Sequence, residues 1–251
     1  MLETKPNLHA WSAIPEGLMS KEAYKYLLDA TEILKRNITP LLFLALIGLL
    51  FYAPTSSGRG SGLTPILPIL VLFIMYPVIY GRYVAIVNDT RDLTYVQIFR
   101  AHWLNFVIVS IITASPILFV SFLGLLSGSP IPGIRIILSI AVDILSIYIF
   151  PLVFLLRERF SCIPLGIKCL LGNFTFSTPL VLLTLVPSIL SLLVRSGGEP
   201  ASASPAMPAF YYLLWLISVI IDFTVFIAAS FILKEKLLAP SEDPVQDVLE
   251  P

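Results

Sequence analysis

The sequence predicts an all-α integral membrane protein with six transmembrane helices, arranged as three repeats of an interfacial amphipathic helix followed by a transmembrane hairpin. Three observations predict this. Of 251 residues, 57% are hydrophobic and only 13% charged, and the mean hydropathy is +0.91, far above a soluble domain. Six apolar runs, at 38–54, 63–84, 104–127, 134–156, 174–194 and 209–233, approach the roughly 20 residues a helix needs to cross the hydrocarbon core. Asparagine recurs at Asn37, Asn105 and Asn173, 68 residues apart each time and always at the threshold of an apolar run.

Taken in order, residues 1–19 are a mostly polar segment with nothing resembling a signal-peptide cleavage site, so insertion without cleavage is expected. The membrane domain spans 20–238, with repeat units at about 20–88, 89–160 and 161–238. Each unit opens on a stretch too polar to cross and too apolar to float free: "KEAYKYLLDATEILKR", "LTYVQIFRAHWL" and "SCIPLGIKCLLG". In the first, Tyr24, Leu27, Leu28, Ile33 and Leu34 recur mainly at helical spacing, which makes one apolar face. The second does the same with Tyr95, Ile98, Phe99 and Trp103, whereas Pro164 and Gly166 weaken the third. Such helices lie along a membrane surface with Lys and Arg reaching toward headgroups. Each asparagine then marks the corner into a span, where its side chain can satisfy backbone groups as an N-cap does.

Closed backbone hydrogen bonding makes each long run a helix rather than a barrel strand. The connections "APTSSGRGSG", "SGSPIPG" and "RSGGEPASASPAMPA" are turn and linker composition and could not house a folded external domain. The other face holds thirteen of the sixteen Lys and Arg residues, and only Arg59, Arg135 and Arg195 fall in these connections. By the positive-inside rule both termini are expected in the cytosol. Residues 239–251 carry four acids and three prolines with little to bury, so they are expected to form a disordered acidic tail.

The returning spans carry a second likeness. "LSIAVDILSIYIFPLVFLLRERF" and "ISVIIDFTVFIAASFILKEKL" share a Ser four residues before an Asp and a closing basic–Glu–basic triplet, with a two-residue slip between. The second span ends on a basic residue but has Pro68 where the acid would stand. With its surface helices leading into "RN-I", "LN-F" and "GN-F" and then a hairpin of spans, residues 20–238 resemble a group of six-span bacterial membrane proteins. That group includes the membrane domain attached to some glycerophosphoryl diester phosphodiesterases. The soluble phosphodiesterase domain is absent, so the resemblance implies a membrane module, an anchor or accessory subunit of the bacterial inner membrane, and no hydrolysis.

Chemistry could reside in Asp143 and Asp222, the acids well inside the spans. A charge at helix centre costs about 2.5–3.5 kcal/mol on insertion scales, so each needs a reason to be there. Counted inward from Arg157 and Lys234, they lie at similar depth, about 21 and 18 Å at 1.5 Å per residue. Ser139 and Ser218 precede them by one turn on the same helical face. The leading reading is that the four residues bond helices together in a scaffold, anchor or accessory subunit acting at the cytosolic leaflet; the alternative is a proton or cation site of a small permease or ion-coupled transporter.

Prolines 68, 77, 116, 151 and 187 could kink the spans and free carbonyls, or serve packing alone. No H-E-x-x-H, G-x-S-x-G or phosphate-cradling glycine loop occurs, so no enzymatic activity is expected. Cys162 and Cys169 read as reduced packing residues with no metal partner, and His9 and His102 as surface or interface residues. Net charge is zero and the basic residues are scattered, which excludes nucleic acid as a partner. Membrane lipid, a protein partner or a second copy remain as partners, with no cofactor or metal.

Overall fold

The computed structural model describes residues 16–52, 66–90, 93–127, 132–196 and 206–237. Among these residues there are eight helices and no strand: α1 (Glu16–Arg36), α2 (Thr39–Tyr52), α3 (Ile66–Val87), α4 (Tyr95–Ser127), α5 (Pro132–Leu156), α6 (Cys162–Gly172), α7 (Phe174–Ser196) and α8 (Ala206–Leu237). Three are long and apolar enough to cross a membrane: Tyr95–Ser127, Gly133–Leu156 and Tyr212–Glu235. Cys162–Gly172 meets Ser177–Leu190 at 110°, and the pair counts as a fourth only if taken as one broken span. Thr39–Leu49 and Phe73–Val87 are shorter apolar helices. The acidic tail, the outer connections and most of the polar segment before α1 fall outside the described residues.

At the second asparagine the sequence predicts a corner, whereas α4 runs unbroken through Asn105 from Tyr95 to Ser127. The reason is local. "YVQIFRAHWLNFVIVS" holds no Gly or Pro to interrupt the helix, so the amphipathic segment simply continues into the apolar run.

α1 buries only part of the stripe its pattern singles out. Ala23, Tyr26, Ala30 and Leu34 are covered by α8 and α7, with Leu27 and Ile33 half-buried beside them, while Tyr24 and Leu28 face outward at 62% and 50% exposure. The helix thus has one apolar side for protein and an apolar edge left to its surroundings. Tyr26 stacks on Phe231 at 6.5 Å, and its hydroxyl donates to Glu235. The described beginning and end of the chain therefore meet at one end of the bundle.

α3, α5 and α8 touch one another and form an inner trio. Around them, α2 sits against α8 and α3, α4 against α3 and α5, and α7 against α5 and α8. α6 packs on α5. Two glycines permit these approaches. A Cβ on Gly81 of α3 would run into the Ile98 methyl of α4, and one on Gly166 of α6 would lie 2.9 Å from the backbone nitrogen of Ile149 in α5. In α8, Ala228, Ala229 and Ser230 are fully buried, small residues at the place where helices crowd most.

Burial is concentrated at the end that carries α1 and α6. Among the described residues, none is buried in α3 before Pro77, in α5 before Ser146, or in α8 before Val219, and none in α4 beyond Val109 or in α7 beyond Val181. One half of the bundle is packed; the other is splayed except where α2 meets α8, with Gly48 buried against Trp215 and Tyr212 donating to Ala45 O at 2.9 Å. At the packed end α3 and α5 stop in residues with left-handed backbone, Asp89 and Arg157, each with φ 56°. Lys234 of α8 donates to Val87 O, the last carbonyl of α3, at 2.5 Å.

Candidate functional site

The aspartates stand where the packed half gives way to the splayed half. Asp143 is three residues before Ser146, the first buried residue of α5, and Asp222 is one before Phe223, which is fully buried in α8. Both aspartates are exposed residues. The charge of Asp143 acts on Asp222, and that of Asp222 acts on Tyr76 and Tyr80 of α3. Helices α3, α5 and α8, which touch one another, thus bring four polar groups within electrostatic reach.

Ser218 donates to the Asp222 carboxylate, as its i, i+4 placement allows. Ser139 is half-buried one turn before Asp143. Ser146 turns back on its own helix and donates to Val142 O at 2.6 Å, so it adds no free hydroxyl to these groups.

One helical turn from these groups lies a cluster of rings. The Tyr80 ring lies 4.2 Å from that of Phe226, 4.9 Å from Phe223, 5.9 Å from Phe106 and 6.0 Å from Phe154, drawing on α3, α4, α5 and α8. Tyr76 stacks on Phe223 at 5.9 Å. Sequence reasoning missed both tyrosines. The available signal was the spacing of Tyr76, Tyr80 and Tyr83, which places three phenols on one face of the second run.

Two nearby carboxylates with phenol donors can share a proton or hold a monovalent cation, and their titrations belong to the pair rather than to either acid. No group of three or more His, Cys, Asp or Glu able to hold a metal ion occurs among the described residues.

The three asparagines do two different jobs. Asn37 lies between α1 and α2, and its Nδ2 donates to Ile33 O at 3.0 Å; Asn173 lies between α6 and α7, and its Nδ2 donates to Cys169 O at 3.2 Å. Both reach back four residues and close the C-terminus of the preceding helix, where an N-cap would have served the following one. Asn105 reaches across instead. Its Nδ2 donates to Arg157 O at 2.9 Å and its Oδ1 accepts from Arg159 Nε at 2.6 Å, which ties α4 to the end of α5. His102 is buried, 4.9 Å from the Phe154 ring, and its Nδ1 has no hydrogen-bond partner. Cys162 and Cys169 are buried in α6 and reduced.

The fold and these groups together define a helical protein with several membrane-span candidates and a carboxylate pair on its inner helices. No family model, curated protein or solved structure matches the chain.

Proposed function

We propose that the chain is a non-enzymatic, six-span protein of the inner membrane, with both termini cytosolic, and that it works as a small permease or ion-coupled transporter. The observation that carries this reading is that Asp143 and Asp222, exposed acids on the touching helices α5 and α8, feel each other's charge, and that Asp222 also acts on Tyr76 and Tyr80 of α3. Neither acid has an opposite charge beside it among the described ion pairs, which suits a site that takes up a cation. A proton or small cation taken up there would neutralise the pair, and the packed half beneath would have to loosen to let it pass.

The threefold repeat supports this reading. Asp89 and Arg157, the left-handed residues after α3 and α5, are 68 apart, the same step as the asparagines. That step also carries the Gly81–Ile98 contact onto Ile149–Gly166 with large and small partners exchanged, as expected of two copies that compensated separately. Each helix read as running outward sits between two read as returning, so the acids lie between equivalent elements.

The test is flux. Purified protein in liposomes with an entrapped pH indicator should dissipate a proton gradient, alone or with a co-transported solute, and Asp222→Asn should abolish it while Asp89→Asn does not. Undiminished flux in both Asp143→Asn and Asp222→Asn would end the proposal.

The scaffold or accessory-subunit reading, and with it the resemblance to phosphodiesterase membrane domains, has its own observation. Tyr24 and Leu28 of α1, Phe160, and Leu171 of α6 remain exposed on the collar beside the packed half. A protein partner that co-purifies near one to one, bound through this collar, together with absence of flux, would favour it.

A further inference from the structure

At the packed end a cavity of about 530 Å³ opens between the end of α1, the end of α3 and α8. Three of its lining residues are cationic, Arg36, Arg82 and Lys234, against one carboxylate, Asp89. Its remaining walls are largely apolar, from Ile33, Ile86, Val87 and Phe231. Nothing in the carboxylate site draws on these residues. We propose that this cavity binds a phosphate-bearing anion, its charge held by Arg36, Arg82 and Lys234.

The local charges favour this in three ways. Two helix C-termini converge on the cavity, and their carbonyl dipoles would repel an anion. They are covered, because Lys234 takes Val87 O and Asn37 takes Ile33 O. Lys234 stays 3.8 Å from Asp89, whose side chain is 80% exposed, a weak pair that an incoming anion can replace. Arg36 pairs with Glu32 on an open face, its side chain 75% exposed, and can swing to a stronger acceptor. Arg82 is placed at the rim, reaching Leu93 O at 3.5 Å and lying 5.9 Å from the Tyr95 ring. A basic pocket between helices on the cytosolic side of a membrane suits a phospholipid headgroup, whose chains would follow the apolar walls; a soluble phosphate has the same recognition chemistry.

The inference shares with the preceding proposal only the placement of this end at the cytosolic leaflet, and its test reads no flux. Full-length protein is reconstituted in discs of mixed phosphatidylglycerol and phosphatidylcholine, extracted in mild detergent, and the retained lipid is counted by native mass spectrometry. Phosphatidylglycerol should be retained in preference, and Arg36→Gln and Arg82→Gln should each weaken retention roughly tenfold, the loss of one charge-assisted contact. Arg100→Gln, an exposed cation away from the cavity, should leave it unchanged. A parallel titration in phosphatidylcholine discs uses inorganic phosphate. Thermal stabilisation there that depends on Arg36 would identify a soluble phosphate as the source, and its absence beside selective lipid retention would identify the headgroup. Equal retention of both lipids with no response to phosphate, or an equal loss in Arg100→Gln, would overturn the proposal. So would unchanged binding in both cavity variants.

Discussion

A single asparagine shows how differently one residue type can act. Asn105 is buried and spends both ends of its amide on the chain beyond α5, one of its contacts being to a guanidinium. Asn105→Ala should therefore cost about 2–3 kcal/mol, because it loses a part-buried bond to Arg157 O and a charge-assisted bond to Arg159. Asn37→Ala and Asn173→Ala each remove one bond to a helix end and should cost about 1 kcal/mol. Thermal unfolding in one detergent would rank the three, and equal losses would contradict the assignment.

The cysteines supply a pH-dependent test at the same scale. In α6, outside the three candidate spans, burial pushes each thiol up to about 11; Glu158 adds to this at Cys162, and Lys168 opposes it at Cys169. At pH 8 about one thiol in a thousand would then be ionised, and the reactive fraction should rise about tenfold per pH unit toward 11. Maleimide should label neither cysteine at pH 7 in the folded protein and both after denaturation in detergent. Rapid labelling at pH 7 without denaturation would place α6 differently.

Among the elements, the contacts that matter most are between helices far from any charge. Gly81→Ala would push into a side-chain methyl, and Gly166→Ala into backbone. Overpacking of this kind costs about 1–3 kcal/mol. Gly81→Ala should be rescued by Ile98→Ala, which clears the obstruction, whereas Ile149→Ala should not fully rescue Gly166→Ala, because it removes the side-chain carbon at 2.7 Å and leaves the main-chain Cα and N of residue 149 at 2.9 Å. Unfolding midpoints of the four variants and two doubles would check this.

How much of this was legible follows from what each contact depends on. Composition and run length announced helices and apolar spans because both are one-dimensional quantities. The depth match of Asp143 and Asp222 could be counted along the chain for the same reason. Their approach to Tyr76 and Tyr80 could not, since it depends on how α3, α5 and α8 turn about their axes. The corner expected at Asn105 failed for a similar reason: an amphipathic segment and a span can be one straight helix or two bent ones, and the pattern of residues is the same until a break such as that at Gly172 and Asn173 decides it. Likewise α1 shows an obvious stripe of large residues, and which part of it is buried, with Ala23, Tyr26 and Ala30 alongside, is defined only by the neighbour it packs on.

For the whole molecule, the closing contact is between the ends of the chain. α1 packs on α8, Tyr26 bonds Glu235, and Lys234 caps α3, so the first and last described helices and the end of α3 share one pole of the bundle. That arrangement admits only an even number of crossings between α1 and the end of α8. It also gathers Lys and Arg at one pole: Arg36, Arg82, Arg157 and Lys234 all lie at helix ends there. If the positive-inside rule governs insertion, that pole is cytosolic. Alkaline phosphatase fused after residue 58, 130 or 200 should then be active, and fused after residue 90, 160 or 251 inactive, with the reverse pattern for green fluorescent protein. A phosphatase-active fusion at residue 251 with an inactive one at residue 130 would invert the molecule. The splayed half would then open to the cytosol, the basic cavity would face the opposite leaflet, and the direction of any flux through the carboxylate pair would be reversed.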